Sequence, residues 1–156
     1  MTIADPKAVS PMVLRMTRHF EAPIDRVFRA FADPEELVKW WGPTGMSVVE
    51  HQIDVRVGGA WRTTIRSAKD EDFTMSGVYR EIVEPHRLVF TWAWQRDGQR
   101  GHETLVTIDL VGEGSHTKLT FLQEVFESEE ARISHQGGWS ESFDCLAASL
   151  GNGDIA

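Results

Sequence analysis

His102-Glu103 opens like the HExxH of zinc peptidases, in which two histidines one helical turn apart hold the metal and the glutamate serves as base. Position 106 is Val106, so the second ligand is missing, and the segment reads as a strand. His19, His51, His86, His116 and His135 show no metal-ligand spacing, and Cys145 is the only cysteine. A thiolate site needs more than one such ligand. No metal and no cofactor is therefore expected. Gly58-Gly59 lacks the surroundings of either glycine-rich phosphate-binding pattern and reads as a bulge or tight turn. No Gly-x-Ser-x-Gly elbow is present, and Cys145 in an apolar helical turn reads as an inert thiol. No catalytic set of residues emerges. His135 precedes Trp139 by one helical turn, so it shares that residue's buried stripe. It can hydrogen-bond a ligand, act as a base, or be a satisfied interior histidine. His51 alternates with Val49 and Ile53 on an expected inner strand face.

The elements that must position these side chains belong to one domain. The chain has 156 residues and a net charge of −8. We assign residues 12–150 to a single domain, 1–11 to a flexible arm and 151–156 to a tail. Lysine and arginine are scattered rather than striped, which argues against nucleic acid and against adsorption to an anionic membrane. No run approaches the ~18 apolar residues of a membrane span, so no membrane insertion is expected. The start MTIADPKAVSP lacks the basic and apolar regions of a signal peptide, and one cysteine cannot form an internal disulfide. A cytoplasmic protein is the expectation.

Alternation from Met12 to Phe20 predicts a strand. Pro23 suits the first turn of a helix carrying Ile24, Val27, Phe28 and Phe31 at helical spacing. Asp33-Pro34 predicts a second short helix, with Asp33 as N-cap and Glu35 and Glu36 at the positive end of its dipole. Strands are then expected over 47–55, 61–67, 73–83 (interrupted at Gly77), 87–94, 103–111 and 117–125. Asp97-Gly98 is a hairpin signal. Ser128 caps a long helix whose stripe is Trp139, Phe143, Leu146 and Leu150, ending before Gly151. Consecutive strands joined by short turns form an antiparallel meander, and the amphipathic helix must lie on it. If the sheet is strongly curved, the helix leaves part of the concave side unfilled.

Two of the six tryptophans stand together in ELVKWWGPTGM, as Trp40 and Trp41 at the joint before Gly42-Pro43. This stretch resembles the hallmark of the family of homologues of the heat-shock ATPase activator, within the START-like, birch-pollen-allergen-like superfamily. Phe20 to Phe31, Asp54 to Arg62, Gly77 to Ile82, Pro85 to Trp92, and Gly138-Trp139 with Phe143 and Leu146 resemble further family segments in the right order. The resemblance covers about residues 12–150. It implies an α+β helix-grip fold: a curved antiparallel sheet of about six or seven strands around a long C-terminal helix, with two short helices near the N-terminus. It also implies that one ring of the pair packs beneath the joint while the other faces a cavity mouth.

The expected role is that of a protein binding a small hydrophobic ligand in an internal, mostly apolar pocket. Trp41, His51, Trp61, Phe90, Trp92, His135 and Trp139 are the expected lining. One alternative is an enzyme of the cyclase or aromatase type, as in superfamily relatives, with His51, His135 or a cavity carboxylate as acid or base. A second is chaperone co-activation, implied by the family name, whereas a stress-related role is expected of the ligand-binding protein itself. The activators carry an additional N-terminal domain where this chain has a short arm, which argues against a chaperone partner. An exposed strand edge could pair two copies into a homodimer.

Overall fold

The computed structural model describes residues 13–155, with side chains described as far as residue 150. The expected arm, 1–11, lies outside the described residues. The chain begins with strand β1 (Leu14–Phe20), followed by helices α1 (Ile24–Ala32) and α2 (Pro34–Leu37). Then come β2 (Ser47–Ile53), β3 (Ala60–Arg66), β4 (Asp72–Val83), β5 (Arg87–Arg96), β6 (Gln99–Arg100), β7 (Thr104–Glu113) and β8 (His116–Glu124). Helix α3 (Glu129–Ile155) closes the chain.

Local chemistry explains these boundaries. Asp33 Oδ1 accepts from the Glu35 N–H at 3.0 Å, which caps α2, and Pro34 occupies its first turn. Pro23 is itself the N-cap of α1 rather than a residue of its first turn. Ser128 Oγ accepts from the Ala131 N–H at 3.1 Å and caps α3. Asp97 (φ 52°) and Gly98 (φ 77°) form a two-residue turn between β5 and β6, the positive-φ pair that a tight hairpin requires. The two-residue strand β6 is too short to leave a periodic signal in the sequence.

All strands join one antiparallel sheet in the order β1-β8-β7-β5-β4-β3-β2, with β6 paired to β5. Helix α3 lies across one face. Its stripe of Trp139, Phe143, Leu146 and Leu150 is buried, as are Phe20 of β1 and Phe121 of β8 beneath it. Phe143 meets the Phe20 ring at 6.5 Å and the Phe121 ring at 5.5 Å, both edge-on. The helix does not stop before Gly151 but runs on to Ile155. Glycine's propensity penalty of about 1 kcal/mol is a weak prior that context overrides. Within the described residues no helix is long and apolar enough to cross a membrane.

Two strand details differ from the alternation read in the sequence. The β2–β3 register shifts between Val48 and Glu50, so Val49 is left 43% exposed while Val48 and Ile53 pack against the core. β4 continues unbroken through Gly77. A Cβ there would lie 1.7 Å from the Thr91 carbonyl oxygen and 2.6 Å from Trp61 Nε1. The glycine leaves room for the Trp61 indole to reach past β4 and donate to the Thr91 carbonyl of β5, at 3.1 Å.

Candidate functional site

The paired tryptophans divide their work. Trp40 donates its indole N–H to the Ala30 carbonyl at 2.9 Å and packs on Phe31 at 4.8 Å, so it fastens the joint to α1. Trp41 donates to Thr63 Oγ1 at 2.9 Å and stands edge-on to both Trp61 (5.7 Å) and Trp139 (5.4 Å). Trp41 therefore links the joint to the sheet and to α3. The Thr44 N–H, donating to Glu141 Oε1 at 3.1 Å, ties the end of the joint to the same helix.

Between this joint, β3 to β5 and α3 lies a cavity of about 160 Å³. Trp41, Pro43, Trp92, Trp94, Gly138 and Trp139 form much of its wall, with Ile65, Met75, His135 and Ser142 completing it. Gly138 opens directly onto this space: a Cβ there would meet only Pro43 Cγ, at 3.9 Å. No close approach to a strand requires the glycine. A second, more polar recess of about 500 Å³ adjoins the first, and Trp92, Trp94 and His135 border both. Its outer wall includes Arg96, His102 and Glu127.

A relay of hydrogen bonds holds the wall from behind. Trp139 Nε1 donates to Gln123 Oε1 at 2.9 Å. Gln123 Nε2 donates to Thr104 Oγ1 at 2.7 Å, and Thr104 Oγ1 donates to the Trp92 carbonyl at 3.1 Å. Gln123 is fully buried, so this chain satisfies polar groups that water cannot reach. Nothing in the sequence marked Gln123, since one glutamine in an alternating strand looks like a surface residue.

His135 is held by Trp94, whose Nε1 donates to His135 Nε2 at 3.3 Å. An indole nitrogen can only donate, so Nε2 carries the lone pair and the proton sits on Nδ1. The imidazole also stands edge-on to Trp92 at 4.6 Å and to Phe126 at 5.1 Å. Burial pushes its pKa down to about 4, against a smaller upward pull from Glu127. At neutral pH it is an uncharged group with a fixed tautomer.

Of the residues expected to line a pocket, the structure brings Trp41, Trp92, His135 and Trp139 together around the cavity. Trp61 and Phe90 lie deeper, edge-on to each other at 5.8 Å, around a gap of only about 10 Å³. His51 stands apart. It lies opposite Thr63 on the edge strand β2, which has a single neighbour, and it is exposed. Sequence reading did not single out Trp94, Met75, Pro43 or Ser142 for the wall. The hydrophobic character of Trp94 and its place in the β5 alternation were the signals for it. Among the described residues no three histidine, cysteine, aspartate or glutamate side chains are grouped to hold a metal.

A long helix laid on a single antiparallel sheet, with two short helices at the joint, defines a helix-grip protein of the START-like class. Residues 21–151 match the family described as Activator of Hsp90 ATPase homolog 1-like protein, and the chain belongs to it. It is similar to the crystal structure of an AHSA1 protein from Silicibacter pomeroyi, with 29% identity and a TM-score of 0.83 over 89% of this chain and 97% of that one. It is also similar to a protein from Chromobacterium violaceum, with 32% identity and a TM-score of 0.79 over 90% of this chain and 97% of the other. None of the curated proteins matches it.

Proposed function

We propose that the protein binds a small, largely apolar molecule in the cavity between the Trp41–Pro43 joint and α3. The observation that carries this reading is an unfilled volume of about 160 Å³ walled by four indole rings, with a glycine where any side chain would intrude. An engineered apolar cavity of ~150 Å³ takes up benzene, so the expected ligand has the bulk of about one ring. Among the described residues His135 is the only titratable group lining the cavity, and it is neutral at pH 7. This favours binding over proton-transfer chemistry, which needs a positioned acid and base.

Titration with toluene, followed through the indole N–H signals of the labelled protein, tests the reading. Saturable shifts at Trp41, Trp92, Trp94 and Trp139 are expected, with Trp40 unmoved. Shifts absent up to millimolar toluene, or spread evenly over all six indoles, would overturn it.

A further inference from the structure

The polar groups of the cavity wall can all donate a hydrogen bond, and the Ser134 and Ser142 hydroxyls can also accept one. Trp40, Trp41, Trp61, Trp94 and Trp139 each donate the indole N–H to a protein acceptor. Trp92 makes no such bond among the described residues. Yet Trp92 is only 4% exposed, and its nitrogen is not among the sealed, unpaired polar atoms. Trp92 borders the cavity and the adjoining recess, so these are the spaces in which its N–H can meet a ligand. His135 adds a second donor, because Trp94 occupies Nε2 and fixes the proton on Nδ1. Ser142, only 4% exposed and without a partner among the described residues, adds a hydroxyl from α3. Among the described residues no carboxylate, amide oxygen or cationic side chain lines the cavity itself, while Arg96, Asp97, Gln99, Arg100 and Glu127 line the adjoining recess.

Resting on the binding reading above, we infer that the ligand is a ring-sized neutral molecule bearing a carbonyl-type acceptor, oriented by the Trp92 N–H with the Ser142 hydroxyl or His135 Nδ1–H. A ketone, aldehyde, lactone or quinone oxygen meets that description. An alcohol or amine has only the Ser134 and Ser142 hydroxyl oxygens among the side chains of this wall to take its own donor, and an unpaired buried donor is costly. A carboxylate must give up its hydration to a wall that offers no positive charge.

The test compares acetophenone with α-methylstyrene, which replaces the carbonyl oxygen by a methylene of similar shape. Dissociation constants come from titrations of the labelled protein, in wild type and in Trp92→Phe, which keeps a ring but removes the N–H. One neutral hydrogen bond corresponds to about 3- to 10-fold in affinity. Trp92→Phe should reduce the preference for acetophenone over α-methylstyrene by that factor, because the change of wall shape acts on both compounds and only the lost N–H distinguishes them. In the wild type, acetophenone should move the Trp92 indole proton downfield, and α-methylstyrene should not. That readout and Ser142→Ala keep the test decisive if Trp92→Phe folds poorly. If α-methylstyrene binds the cavity, and the indole proton and Trp92→Phe treat both compounds alike, the acceptor inference fails while the binding reading stands. If neither compound binds, both fail together.

Discussion

Gly137 and Gly138 make a matched experiment inside one helix. Each costs about 1 kcal/mol relative to alanine. A Cβ at Gly137 would meet nothing within 4 Å, and one at Gly138 only Pro43 Cγ at 3.9 Å, so neither position forbids a side chain. Gly137→Ala and Gly138→Ala should each stabilise the fold by about 1 kcal/mol, raising Tm by roughly 2–4 °C. With leucine the two positions part. Gly137 is exposed, so Gly137→Leu leaves toluene binding as in wild type. Gly138→Leu carries its side chain into the 160 Å³ space and should lower affinity by about tenfold or more, a loss of roughly 1.4 kcal/mol or more. Stability should not fall, because the added carbons enter empty volume. Melting curves by circular dichroism, together with toluene titrations of the four variants, decide the matter. Overpacking would instead cost about 1–3 kcal/mol. If Gly138→Leu melts well below Gly137→Leu yet binds toluene like wild type, the glycine serves contact with the joint and not ligand space.

His135 titrates far below its unfolded value of 6.5, near 4. Its neutral burial is fully compatible with the fold above pH 6.5, and stability is lost as pH falls from there through 4, by up to about 3 kcal/mol. Urea unfolding across this range should show that loss in wild type, and a flatter profile in His135→Gln would locate its source; equal slopes would refute the assignment. Gln123→Ala should cost about 3 kcal/mol in urea unfolding, because it opens a void and strands the Trp139 N–H; a cost below about 1 kcal/mol would mean that the relay is not intact in solution. Val125 has φ of 68° while 58% exposed, an unfavourable conformation for a branched residue. Val125→Gly should therefore raise Tm by a few degrees, about 1 kcal/mol of relieved strain, and a lowered Tm would argue against that backbone geometry.

Most of the architecture was legible because it rests on local signals. Asp33-Pro34, Asp97-Gly98 and Ser128 mark ends by side-chain and backbone chemistry alone. The α3 stripe follows from spacing, since Trp139, Phe143, Leu146 and Leu150 recur at the helical period. His51 shows where such reading fails. Its neighbour Val49 was expected inside, but the bulge between Val48 and Glu50 carries no glycine or proline to announce it. Being an edge strand is likewise a property of the whole sheet, not of β2. The cavity wall was half legible for a related reason. Tryptophans advertise burial, whereas Ser142 and Gln123 gain their meaning only from what the fold places opposite them.

The indole of Trp61 reaching past Gly77 to Thr91 has a consequence for descent. Three strands meet at a point where one residue must be bare because the β5 backbone and an indole both crowd it. A relative that acquires any side chain at position 77 must both give up the indole at 61 and move the β5 backbone away at Thr91, so losing the indole alone does not free the position. The dependence therefore runs one way: in descent the glycine can outlast the tryptophan, but the tryptophan cannot outlast the glycine.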